Sequence, residues 1–175
     1  MDIILKSVRI INPGTTHHQK TRDIIIVNGK IKSITTNAGN EEGIKELDLK
    51  GCYVMPGWFD MRANFREPGE EYKEDLGSGI KAAAAGGFTE VLLMPSTLYP
   101  IQSKSDTEFI LNKCRNSLVN VHVAGCLTTD RKGIDMAELY EMYVSGAIAF
   151  TDDKKVNDPG MLVRAFQYSN TFGAR

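Results

Sequence analysis

Residues 56–69 read PGWFDMRANFREPG. The stretch opens on a Pro56-Gly57 turn, passes through a short apolar segment to Arg62, Asn64 and Arg66, and turns again at Pro68-Gly69. Strand alternation puts Asp60, Arg62 and Asn64 on one face. The chain changes character here. Upstream the pattern is of strands and turns; downstream it is of strands alternating with helices, as in βα units around a parallel sheet.

Downstream, a first strand over 58–61 is followed by a helix over 74–87. Its apolar face of Leu76, Ile80, Ala83, Ala84 and Gly87 is small enough to sit close to a sheet, and Gly86-Gly87 ends it. Residues 90–94, EVLLM, form a nearly continuous apolar strand, as expected where both faces are covered, and Pro95 stops it. Ser105-Asp106-Thr107-Glu108 has capping-box spacing and opens a second helix, with Phe109, Ile110, Lys113 and Cys114 turned inward or along its edge. A third strand covers 119–124. Asp135 then caps a helix in which Met136, Leu139, Tyr140, Tyr143 and Val144 recur with a 3.6-residue period. A fourth strand runs over 146–151, and Asp158-Pro159 starts a last helix through Met161, Leu162, Ala165 and Phe166. Four such units suit either an open doubly wound sheet or half of a (β/α)8 barrel, which as a whole takes about 250 residues. A fifth strand is due where the sequence stops, so a barrel would be represented by its first half, with two strand edges left to cover.

Residues 1–55 read as a small antiparallel sheet of about five strands. The β-branched runs at 3–5, 8–11 and 23–27 are strands, Asn12-Pro13-Gly14 is a turn, and Asn28-Gly29 signals a type I′ hairpin into 30–34. Residues 36–45 form a polar loop, and 47–49 and 52–55 flank Gly51 as a further short hairpin. The composition, 42% hydrophobic and 25% charged with a net charge of −1, is that of a globular protein and shows no basic stripe for nucleic acid. No apolar run approaches the roughly 20 residues that span a bilayer, and the first residues lack a signal peptide's basic and apolar regions. Cys52, Cys114 and Cys126, odd in number and widely spaced, read as reduced, buried thiols of a cytoplasmic protein and not as a disulfide or zinc framework.

Several separated motifs fall in one order and spacing. Asp60 is followed by Phe65-Arg66-Glu67-Pro68-Gly69, then Lys73-Glu74-Asp75, and then the run 82–89, AAAAGGFT. Met94-Pro95-Ser96-Thr97 and Ala149-Phe150-Thr151-Asp152-Asp153 complete the series. With Val54-Met55-Pro56-Gly57 closing the N-terminal β segment, this resembles the dihydroorotases of the cyclic-amidohydrolase superfamily, over essentially the whole chain. The resemblance implies an α/β fold. Residues 56–175 would be the first half, four βα units, of a metal-dependent-hydrolase (β/α)8 TIM barrel, and residues 1–55 part of a small β-sandwich. It also implies the interconversion of carbamoyl aspartate and dihydroorotate in pyrimidine biosynthesis, with one or two zinc ions that make hydroxide available near neutral pH. Two histidines normally supply the first ligands, and Arg62 and Asn64 stand in their places. Arginine has no lone pair to offer, and asparagine is a weak zinc ligand. Asp153 matches a retained metal ligand, although Lys154 replaces the glycine that usually follows it. Arg66 matches the arginine that holds the substrate carboxylate, and its usual asparagine partner is Ser96.

The first expectation is therefore a dihydroorotase-like protein with a degenerate zinc site and no cofactor, acting as a non-catalytic partner of aspartate transcarbamoylase. In it Arg62 would place its guanidinium where the metal sits and pair with Asp153. The alternative is an active dihydroorotase or hydantoinase-like cyclic amidase with a rearranged metal site; a third reading is a truncated product. The missing C-terminal half of the barrel or further copies of the chain are the other expected partners. Plainer readings stand beside these: Asp152-Asp153 as a capping pair, Arg66 as a surface ion pair, His122 as a hydrogen-bonded core residue, His17 and His18 as solvated loop residues, and Cys126 as structural.

Overall fold

The computed structural model describes residues 2–39 and 43–174, and the chain divides into two units, Met1–Pro56 and Gly57–Arg175. The first holds β1 (Ile3–Ile10), β2 (Thr21–Val27), β3 (Lys30–Thr35), β4 (Lys45–Asp48) and β5 (Tyr53–Val54). β1, β2 and β3 are antiparallel neighbours, and Asn28 and Gly29 join β2 to β3 with φ of 51° and 73°, as a type I′ turn requires. The hairpin expected over 47–55 does not form. β4 and β5 instead run parallel to β1 one after the other, Lys6 lying opposite Asp48 and Arg9 opposite Tyr53. A tight turn loops out between them, closed by Cys52 N–H donating to Leu49 O with Gly51 at φ 86°. The sheet is thus mixed, one layer of the implied sandwich. Of the loop expected over 36–45, residues 40–42 lie outside the described residues and Lys45 already belongs to β4.

The second unit alternates β6 (Trp58–Ala63), α1 (Leu76–Ala85), β7 (Phe88–Leu93), α2 (Lys104–Cys114), β8 (Asn120–Gly125), α3 (Leu139–Val144), β9 (Ala147–Phe150) and α4 (Pro159–Thr171). The four strands are parallel and lie in sequence order. On one face Leu76 and Ile80 of α1 and Ile110 and Cys114 of α2 pack against Ala63, Val91, Leu93 and Val123. The opposite face carries Leu92, Met94, Ala124 and Ala149. This is the layering of consecutive βα units of a barrel, with helices outside and small or apolar side chains inside.

Local boundaries depart from the sequence expectations for identifiable reasons. The cap of α2 lies two residues before the expected one, because Ser103 and Asp106 form the reciprocal capping box. Phe109 points to solvent rather than inward. The helix expected from Asp135 starts only at Leu139. Met136 bridges Thr128, Thr129 N–H donates to Asp135 O, and Ala137 N–H donates to Leu127 O, so residues 128–137 close a small loop of their own. The buried residues of α3 are then Leu139 and Met142, while Tyr140 and Val144 are exposed.

Close approach of α1 to the loop after β6 depends on one glycine. A Cβ on Gly79 would lie 2.4–2.8 Å from the Phe65 ring, whereas the nearest atom to a Cβ on Gly77 is Asp75 Oδ1 at 3.2 Å, a side-chain atom that needs to give by only a few tenths of an ångström. Helix propensity favours alanine over glycine by up to about 1 kcal/mol, but overpacking costs about 1–3 kcal/mol. Gly79→Ala is therefore expected to lower stability in urea unfolding and Gly77→Ala to leave it unchanged or raise it; equal effects would contradict the packing described.

Candidate functional site

The loops that follow the parallel strands gather at the strands' C-terminal ends, the face where barrel enzymes build their sites. β6 delivers its residues through an irregularity. Asp60 lies opposite Val91 and Ala63 opposite Leu93, so one residue is extra between them. Asp60 and Ala63 therefore share the helix-facing side with those partners, and Arg62 and Asn64, flanking Ala63, turn to the other. The expected single face for Asp60, Arg62 and Asn64 is corrected by this bulge. Asp60 instead braces it, its Oδ1 accepting the Arg62 backbone N–H at 2.9 Å.

Arg62 reaches Asp153, 91 residues on and just past β9. Its Nε and Nη2 donate to Asp153 Oδ1 at 2.9 and 2.8 Å. The Ser96 hydroxyl, just past β7, lies 2.8 Å from Asp153 Oδ2 and 2.9 Å from Asn64 Oδ1. One hydroxyl proton cannot serve both acceptors. With the Asn64 amide turned over, Nδ2–H donates to Ser96 and Ser96 donates to Asp153, a chain that needs only one hydroxyl proton. One network thus ties the ends of β6, β7 and β9 through Arg62, Asn64, Ser96 and Asp153. Arg66 pairs instead with Glu70 of its own loop, Nη1 to Oε2 3.7 Å.

The adjacent aspartates have different tasks. Asp152 is 2% exposed and accepts Leu127 N–H at 3.0 Å, Thr128 N–H at 2.8 Å and the Thr128 hydroxyl, tying β9 to the loop after β8. Arg131 donates its Nε–H to Asp152 O at 2.7 Å. The plain reading holds for Asp152, and Thr128 and Arg131 carried no sequence signal. Asp153 takes an unusual backbone, φ 50°, with its N–H donating to Thr151 Oγ1 at 2.9 Å. Burial works to raise its pKa, but the hydrogen bonds from Arg62 and Ser96 and the charges of Arg62 and Arg131 prevail and hold the carboxyl below its usual range.

The pattern of the dihydro-orotase-like family matches residues 51–171 of this sequence. The chain belongs to that family. It is 37% identical over 175 residues to a dihydroorotase of Citrifermentans bemidjiense and 36% identical to that of Aquifex aeolicus. In each case the match covers 99% of this chain and 41% of the relative. Among solved structures it resembles the L-hydantoinase (dihydropyrimidinase) of Arthrobacter aurescens, with TM-score 0.77, 22% identity, and 99% of this chain on 39% of that one. It also resembles a dihydroorotase, with TM-score 0.61, 14% identity, and 85% of this chain on 41% of that one. At these identities the structural likenesses establish the fold alone: the first half of an α/β barrel, with a β unit ahead of it in sequence.

The two positions at which the resemblance implies the first zinc ligands hold Arg62 and Asn64. Of the positions available, Arg62 is a cation, Asn64 offers only an amide, and both oxygens of Asp153 are already engaged. Among the described residues no three His, Cys, Asp or Glu side chains converge as a metal ion would need. His122 is 2.7 Å from Glu90, and His18 Nδ1 accepts the Asn12 N–H at 3.2 Å, so each has a structural partner. Burial pushes the Cys126 thiol up to about 12 and that of Cys114 up to about 11, leaving both as uncharged core groups, whereas Cys52, expected to be buried, is exposed beside the turn before β5. Among the described residues no helix is long and apolar enough to cross a membrane.

The depressed Asp153 pKa fixes the sign of a pH effect. The stabilisation is fully present above the unfolded value near 3.9 and is lost as pH falls through the folded value. Arg62 is 71% exposed and Asp153 only 11%, so solvent screening keeps the pair to about 1 kcal/mol. Asp153→Asn is expected to lower stability by that amount at pH 7, and the gap to wild type should close as pH falls below about 4. A gap independent of pH would contradict an ionised Asp153.

Proposed function

We propose that the chain is the first part of a dihydroorotase-like protein of pyrimidine biosynthesis whose barrel top has exchanged metal-assisted ring chemistry for a binding and scaffolding role. One observation carries this reading: the Arg62 guanidinium grips the carboxylate that the family uses as a metal ligand. The positive charge near Asp153 is then supplied by the protein itself, and no water is bound to a Lewis acid that could lower its pKa. Arg66 remains as a carboxylate-binding group at the mouth, and Ser96, shorter than the family's asparagine, serves the Arg62–Asp153 network.

The proposed partners follow from the same fold. β6 and β9 each pair on one side among the described residues, so the remaining strands of a barrel, or another copy of the chain, would cover them. As a scaffold, the assembled protein would associate with aspartate transcarbamoylase in the cytoplasm. The three free cysteines suit that compartment. An active cyclic amidase remains the second reading, favoured by the dihydroorotase relatives that match 99% of this chain.

Zinc content and turnover separate the two. Wild-type protein dialysed against zinc is expected to hold well under one equivalent and to show no ring closure of carbamoyl aspartate or opening of dihydroorotate or hydantoins. The double variant Arg62→His/Asn64→His is expected to gain zinc affinity, because it restores two imidazoles beside Asp153. Zinc-dependent turnover by wild type would overturn the scaffolding reading. Co-elution with aspartate transcarbamoylase in size-exclusion chromatography tests the partner.

A further inference from the structure

We infer that Glu67, together with Lys113, is a positioning residue that sets the direction of Arg66. The inference rests on the reading of Arg66 as the carboxylate-binding group. In the loop between β6 and α1 the residues alternate in direction. Phe65 packs into the core against Gly79, Arg66 is exposed, and Glu67 is 4% exposed. Arg66 is therefore carried between two inward anchors, with its own backbone at φ 64°. That conformation is unfavourable for a residue with a Cβ and persists where its surroundings over-determine it.

The Glu67 anchor is electrostatic and joins three elements. Its Oε2 accepts the backbone N–H of Leu76, the first residue of α1, at 2.9 Å, where the helix end favours negative charge. Its Oε1 is paired with the Lys113 ammonium from the last turn of α2, 46 residues away. The carboxylate raises the Lys113 pKa through the hydrogen bond and its charge, so the lysine stays a cation at any ordinary pH. Lys113 is 48% exposed while Glu67 is enclosed, so the pair places an unneutralised buried charge under the loop if the lysine is lost. Beyond the anchor the loop turns on itself: Glu70 N–H donates to Arg66 O at 3.1 Å, and the Glu70 carboxylate pairs with the Arg66 guanidinium. Neither Glu67 nor Lys113 lies within the Arg62–Asp153 network. Their effect on a ligand would pass through Arg66 alone.

The test uses the full chain, with carbamoyl aspartate as the probe in calorimetry. The Arg66 Nε–H resonance of labelled protein, assigned with Arg66→Ala, is the second readout. Wild type is expected to bind, and Arg66→Ala to abolish binding. Glu67→Gln is expected to weaken it about 10-fold and Lys113→Met about 5-fold, while Lys113→Arg, which keeps the charge, stays within about 2-fold of wild type. Lys81→Met, an exposed change on α1, should leave it unaltered. In Glu67→Gln and Lys113→Met the Arg66 resonance should shift or broaden, and in Lys113→Arg it should return to its wild-type position. A general loss of stability would not produce that recovery together with loss of affinity in a folded protein. If Glu67→Gln does not fold, the two Lys113 variants decide the matter. Unchanged affinity and an unchanged Arg66 resonance in folded Lys113→Met would overturn the inference. Absence of binding by wild type would overturn the reading of Arg66 as a carboxylate site, and the resonance would then decide the positioning role by itself.

Discussion

A carboxylate drawn largely out of water at the ends of four parallel strands has to be neutralised, and the way Asp153 is neutralised governs what the site can do. Burial alone would push its proton affinity up. A bound metal ion is one remedy. Here the cation is covalently part of β6, so one side chain both balances the charge and ties β6 to the segment after β9. A guanidinium forms a directed contact, but it has no empty orbital to polarise a carbonyl and no bound water to activate. In the proposed reading, the contact that ties β6 to the segment after β9 also takes the place of a metal's chemistry.

Other buried carboxylates in the chain are devoted to architecture. Asp23 accepts the N–H groups of Ser7 and Ala38, Glu67 that of Leu76, and Asp152 those of Leu127 and Thr128. Each satisfies backbone donors at a bulge, a helix start or a strand end, positions where the regular ladders leave N–H groups without partners. Asp153 differs in that both of its oxygens meet side chains. This distinguishes the two adjacent aspartates more clearly than exposure does.

The order of strands and helices was legible because it depends on patterns that local chemistry enforces. The apolar run at 90–94, the Asn28-Gly29 turn and the Asp158-Pro159 helix start each reappear where their residues place them. The meeting of Arg62 with Asp153 was also readable, since it requires only the family's strand order and the reach of an arginine. Three features were not. The 47–55 hairpin failed because two short strands found a common partner in β1, a non-local choice that turn residues do not reveal. The helix after Asp135 was shortened by hydrogen bonds to residues 127–129, although its apolar period was present. Finally, one extra residue in β6 moved Asp60 away from Arg62 and Asn64, and alternation has no memory beyond a bulge.

The most direct test of the Arg62–Asp153 account is a carbon-13 NMR titration of the Asp153 side-chain carboxyl, with and without zinc. The account predicts a midpoint below the ordinary aspartate value of about 3.9, unmoved by zinc and raised by Arg62→Ala. A midpoint at or above that value, or a carboxyl signal that responds to stoichiometric zinc while Arg62 is intact, would contradict it.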